Sequence, residues 1–226
     1  MEMIADVCRQ RDFLKLLQLA DSSLPIGTLA HSFGLESLVE DGVVSVDNLD
    51  EFCASLLTEG LLLDAVYCRA AYLSTSMCDL MNLNSRLNAL RPSREARQAS
   101  LSLGKRLLSL ISHLENSAAL QAAASSGEVL YPVAFGFLCG ILRLDHELSI
   151  LAFLQQNIAA ILSAAQRLLP LGQMRSSQFL WRFKPAIEQT ARRSCLESID
   201  SVCSFNHLPE LASMRHTFLE TRLFIS

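Results

Sequence analysis

Residues 147–169 read ELSILAFLQQNIAAILSAAQRLL, and this run decides the fold class. Its apolar residues Leu151, Leu154, Ile158, Ile161, Leu162, Ala165 and Leu168 recur at the i, i+3, i+4, i+7 spacing that lines one face of an α-helix. The helix is predicted over Glu147 to Leu169, ended by Pro170-Leu171-Gly172. No run of alternating β-branched residues occurs in the chain, so the sequence offers nothing from which to build a sheet. The expected fold is all-α: a single multi-helix domain over residues 1–208, followed by a C-terminal docking tail over 209–226.

Working outward, nearly every other segment shows the same period. A first helix is predicted from about Phe13 to Ala20, with Leu14, Leu17 and Gln18 one turn apart, stopping before Pro25. A second starts near Ser32, carries Leu35, Leu38 and Val39, and ends at Asp41-Gly42. Ser45 or Asp47 caps a third, whose stripe is Leu49, Phe52, Cys53, Leu56 and Leu57. Helix continues from Leu63 to Leu83 and is broken at Arg91-Pro92-Ser93. Ser93 caps a helix from Arg94 to about His113, in which Gly104 marks a close neighbour because glycine costs about 1 kcal/mol there relative to alanine. Ser125-Ser126-Gly127 is a loop, Pro132 opens a helix to about Leu142, and a last long helix spans about Ser176 to Asp200, bent near Pro185.

A chain of 226 residues is long enough to bury a sizeable core without disulfides or metal. Half of its residues are apolar, an excess that fits either a large core or a surface covered by another protein. A net charge of −4 and the lack of a sustained Lys/Arg run speak against nucleic acid as a partner. Runs such as Leu61–Leu63 and Leu168–Leu171 are far shorter than the roughly 18–20 apolar residues of a membrane span, and no signal peptide is visible, so a cytoplasmic location is expected. Cys8, Cys53, Cys68, Cys78, Cys139, Cys195 and Cys203 form no CxxC pair and read as reduced core thiols. The histidines are dispersed, at 31, 113, 146, 207 and 216, so no metal-ligand cluster is expected.

Two segments stand apart from this helical background. Between Leu19 and Glu36 the chain packs Ser22, Ser23, Pro25, Gly27, His31, Ser32 and Gly34 into eighteen positions, a density of polar and backbone-special residues that a core does not require. After Pro209, apolar Leu211, Met214, Phe218, Leu219, Leu223 and Phe224 alternate with Arg215, His216, Glu220 and Arg222. A chain end of this composition carries anchors for docking. No phosphate-binding GxxxxGK[ST] loop, HExxH or GxSxG is present. Cysteine–histidine nucleophile chemistry stays open, since its partners need not be close in sequence. His31 alone reads first as a hydrogen-bonded turn residue. The alanines at 122–124, 159, 160, 164 and 165 suit close helix packing, either in the core or across a symmetric dimer. Arg94-Glu95-Ala96-Arg97 reads first as a solvated helix start, where Glu95 suits the macrodipole; Arg94 and Arg97 do not, and two arginines there also ask for an acidic partner.

The run Leu-Leu-Gln-Leu-Ala-Asp-Ser-Ser-Leu-Pro-Ile-Gly, followed by Ala-His-Ser-Phe-Gly-Leu-Glu, closely resembles the opening motif of the UreF family of urease accessory proteins. Ser93 to Arg97 with Gly104, Tyr131 to Gly136, and Ser163 to Gln173 are similar to that family's later blocks, in family order. Ala212 to His216, Arg222 to Phe224 and Ser226 resemble its tail. The resemblance spans residues 16 to 226 and implies an all-α homodimer without a cofactor. Such a dimer binds the UreD/UreH accessory protein and recruits the GTPase UreG, so that nickel reaches apo-urease. It also implies that the protein catalyses nothing alone. By the same resemblance, Arg215, His216, Arg222, Leu223 and Phe224 form the partner-docking tail. Pro25, Gly27, His31, Ser32, Gly34 and Glu36 shape the surface beside it, and Arg167 contacts the GTPase. Thr28 stands where the family has a second glycine, Thr217 where it has an acidic residue, Thr221 where it has a serine, and Ile225 where it has a basic residue. The rival readings are a stand-alone helical Cys/His hydrolase and an adaptor repurposed away from urease.

Overall fold

The computed structural model describes residues 2–204 and 206–225, with side chains from residue 10 onward. Ser226 and the side chain of Cys8, both read in the sequence, fall outside the described residues. The chain is all-α, with no strand among the described residues. Its order is α1 (Glu2–Leu19), α2 (Leu35–Glu40), α3 (Leu49–Ser55), α4 (Leu61–Tyr72), α5 (Met77–Ala89), α6 (Arg94–Leu114), α7 (Ala118–Ser126), α8 (Tyr131–Ile141), α9 (His146–Leu168), α10 (Gln173–Arg182), α11 (Lys184–Leu196) and α12 (His207–Arg215). Short 3-10 turns occupy Thr28–Ala30 and His216–Phe218, and a π-type turn over Leu56–Gly60 joins α3 to α4.

At the centre, α8 lies on α4 with backbone against backbone. A side chain at Gly136 would place its first carbon 1.9 Å from the Cys68 carbonyl oxygen, so only glycine admits this approach. Gly104 of α6 does the same against the Val129 carbonyl, at 2.0 Å, which accounts for glycine inside that helix. Polar groups left by the connections are satisfied from neighbouring helices. Asn84 of α5 accepts from Leu130 N–H at 2.8 Å and donates to the Glu128 carbonyl at 2.7 Å. Tyr131 donates to Gln156 of α9 at 2.6 Å. Arg69 of α4 donates to the Ser194 and Glu197 carbonyls at the end of α11.

The long run at 147–169 forms α9, with Asp145 as its cap and Leu154, Ile158, Ile161, Leu162 and Ala165 buried. By length and composition α9 passes the test for a membrane span, which the sequence reading of shorter runs did not show. Of its most apolar stretch, 61% is buried inside the protein, against α1, α2, α4, α8, α10 and α11, which makes it a core helix.

Several boundaries differ from expectation. The helix predicted from Ser32 starts at Leu35, because Phe33 and Gly34 adopt positive φ (52° and 87°) and cannot continue a right-handed helix. Neither Ser45 nor Asp47 caps α3; Asn48 takes the cap position, its side chain turned back to accept from Ser45 N–H. The stretch 63–83 is two helices, because Ser76 caps a new start through Asp79 N–H. Ser125 and Ser126 finish α7, and only Gly127 leaves it. The predicted bend near Pro185 is a full break at Phe183. On α1 the inward residues are Leu16 and Leu19, while Phe13, Leu14 and Leu17 face out. Of the thiols, Cys53, Cys68 and Cys139 are core, whereas Cys78, Cys195 and Cys203 are exposed.

Replacing Gly136 by Ala forces α8 away from α4, and overpacking of this kind costs about 3 kcal/mol or more where the obstacle is backbone. A lower urea midpoint at unchanged slope is the expected result; an unchanged midpoint would show that the two helices separate freely.

Candidate functional site

The Leu19–Glu36 block and the C-terminal segment meet, and the joint is a buried carboxylate. Gly34 makes the first approach possible: its φ of 87° suits glycine, and an added carbon would lie 2.5 Å from the Pro209 carbonyl of α12. That seats α12 on the start of α2 and brings the following residues over Glu36. Glu36 is 5% exposed. Its Oε1 accepts from Leu223 N–H at 2.6 Å, and its Oε2 accepts from His216 Nε2 at 2.7 Å and from Phe224 N–H at 3.3 Å. A buried carboxylate needs such donors, because leaving it unpaired costs several kcal/mol.

Arg167, in the last turn of α9, closes the joint from the other side. It donates to the carbonyls of Leu29 at 3.1 Å and Leu223 at 3.2 Å, and its guanidinium lies 4.2 Å from the centre of the Phe224 ring. Ile225 N–H donates to the Ala30 carbonyl at 2.8 Å. One arginine thus ties the end of α9, the 28–30 turn and the tail together. Arg215 pairs in a two-pronged bond with Asp41 at the end of α2, at 2.7 and 3.0 Å. Its side chain is 64% exposed, so that pair is worth about 1 kcal/mol at most.

The structure therefore brings Glu36, Arg167, His216, Leu223 and Phe224 together. His31, Ser32 and Gly34 are buried beside them, His31 against Phe33. Gly27, at φ 89°, lies instead under the guanidinium of Arg106, which donates to the Ile26 carbonyl. Pro25 and Arg222 are exposed. Of the apolar tail residues, Pro209, Ala212 and Phe224 are buried; Phe218 is 85% exposed, and Leu223 and Ile225 also face out. Thr28, in place of a glycine, is buried in the 3-10 turn without positive φ, so this backbone tolerates it. Sequence reasoning missed Leu29 and Ala30, which act through backbone carbonyls and leave no side-chain signal. It also missed Asp41 and Arg106; Arg106 had a signal, at four-residue multiples from Arg94.

Among the described residues no group of three or more His, Cys, Asp or Glu side chains could hold a metal ion. Burial pushes the Cys53 and Cys139 thiols up to about 12 and Cys68 well above its usual value, which suppresses the nucleophilic thiolate. Burial, reinforced by Arg106, lowers the pKa of His31 and favours its neutral form. The Glu36 joint holds a peptide segment; its oxygens are occupied by donors from the tail.

Two outcomes follow. Glu36→Ala leaves three donors unsatisfied and should release the tail, with trypsin cleaving after Arg222 about ten times faster or more; an unchanged rate would mean the tail is held elsewhere. For His31, the unfolded chain takes up a proton below pH 6.5 that the folded chain resists. Stability from the neutral ring is therefore full above pH 6.5 and is lost as pH falls through the lowered folded value. His31→Gln should lessen the drop in urea midpoint between pH 7.5 and 5.5, leaving the part that His146, shifted in the same direction, contributes. An undiminished drop would count against this assignment.

Comparison with known proteins agrees with the motif reading. The UreF family model matches residues 43–184. The urease accessory protein UreF of Nostoc sp. (strain PCC 7120) is 33% identical over 221 residues, covering 95% of this chain and 96% of the relative. That of Rhodopseudomonas palustris (strain BisA53) is 33% identical over 219 residues, covering 94% and 92%. That of Actinobacillus pleuropneumoniae serotype 3 (strain JL03) is 30% identical over 221 residues, covering 93% and 97%. The family model over most of the chain and relatives at 30–33% identity along nearly all of it lead to one conclusion: the chain belongs to the UreF family of urease accessory proteins.

Proposed function

We propose that this chain is a non-enzymatic scaffold of nickel-urease maturation in the cytoplasm. It works as a homodimer, binds the UreD/UreH accessory protein and recruits UreG, so that nickel reaches apo-urease while UreG hydrolyses GTP at a rate the scaffold modulates. Residues 1–208 are the body and 209–226 the partner-docking element.

One observation supports this reading above the others. The tail is held from beneath by Glu36 and Arg167, yet it presents Phe218, Leu223 and Ile225 outward, next to exposed Arg222. Apolar side chains held out on a fixed backbone suit a protein partner. The candidate residues then divide by burial. Pro25, Arg167, Arg215, Arg222 and Leu223 touch the partner. Gly27, His31, Ser32, Gly34, Glu36, His216 and Phe224 position them.

Deleting residues 219–226 tests the proposal while retaining α12 and the Glu36–His216 bond. The expected result is an unchanged helical spectrum and elution volume, with loss of UreG capture by the UreD/UreH complex and loss of urease activation. Full capture by the shortened chain would defeat the tail assignment. Failure of the intact chain to bind UreD/UreH would favour the repurposed adaptor.

A further inference from the structure

Arg94 and Arg97 open α6, where a helix N-terminus favours anions. Arg97 is accounted for: it donates to the carbonyls of Arg91 at 2.6 Å and Pro92 at 3.1 Å and closes the turn between α5 and α6. Arg94 has no such use, and among the described residues neither Arg94 nor Arg106 has a carboxylate partner.

Arg94, Gln98, Ser102 and Arg106 follow at four-residue spacing and share one face of α6 over about 18 Å. This face lines a recess of about 350 Å³, which His31, Thr217 and Ile225 also line. A cation lies at each end, with hydrogen-bonding side chains between. Glu95 also lines the recess and accepts from the Ser93 hydroxyl at 3.2 Å, leaving two cations against one anion. His31, favoured in its neutral form, adds little charge. In a chain of net charge −4 this is positive surface without a carboxylate counterpart among the described residues.

We propose that this recess binds an acidic peptide segment of a protein partner, whose carboxylates meet Arg94 and Arg106 while Gln98 and Ser102 hydrogen-bond between them. Cations rooted so far apart favour an elongated ligand over one small oxyanion. An extended peptide rises about 3.3 Å per residue, so carboxylates about five residues apart match the stripe. The surface lies on α6 and goes beyond the tail reading, since it requires no particular partner.

The probe is a fluorescein-labelled eight-residue peptide of alternating Asp and Glu, followed by anisotropy at low salt, with an Asn/Gln peptide as control. Arg94→Gln removes a side chain that makes no hydrogen bond or ion pair among the described residues. Thr217→Glu sets a tethered carboxylate in the recess. Each should weaken binding about tenfold, while Arg192→Gln, on exposed α11 surface, should not. Equal affinity in Arg94→Gln and wild type would overturn the proposal, as would equal weakening by Arg192→Gln. Displacement by inorganic phosphate beyond that by chloride of matched ionic strength would mark a site for free oxyanions and also overturn it. If Thr217→Glu lowers the melting temperature, Arg94→Gln alone decides.

Discussion

The backbone of α8 rests on the backbone of α4, and the remaining helices take their places from that contact. Gly136 removes the side chain that would separate them, and Gly104 lets α6 close on the connection that leads into α8. Because α4 and α8 approach to backbone distance, α9 can cover both and deliver Arg167 at its far end to the tail. α6 is held by its other face, so the stripe from Arg94 to Arg106 points into the recess beside the tail. The positions of both surface features are consequences of helix packing inside.

Glu36 is the second constraint, and it shows how a charge can organise a surface from below. Its burial would be prohibitive without donors. The donors come from residues nearly two hundred positions away, His216, Leu223 and Phe224. The exposed Arg215–Asp41 pair spans the same gap but is screened by water and contributes little. Glu36 and His216, which hold the tail from below, are thus buried and polar, whereas Arg222, Leu223 and Ile225 are exposed and mixed in character.

Most helices were legible, because burial of one face imposes the 3.6-residue period on a helix that packs; α7 and α12 were not expected from the sequence. Ser93 as a cap and Gly104 as a contact were legible too, since serine is favoured at a helix start and glycine inside a helix is costly enough to need a reason. The breaks at residues 73–76 and at Phe183 were read short of what they are: the Ser74-Thr75-Ser76 start signal was passed over, and Pro185 was taken for a bend within one helix and not for the first turn of a new one. The positive φ at Phe33 left no mark, since phenylalanine does not prefer that region.

What the sequence by itself determined is the all-α class, the order of most helices and the family, because periodicity, capping and motif spacing are local properties of the chain. What only the tertiary structure decided is which candidate residues hold and which face outward. His216 and Glu36 are as polar as Arg222, and their opposite fates follow from pairing between distant segments. Local pattern carries no record of such pairing, since the energy of a buried carboxylate depends on donors that folding alone brings to it.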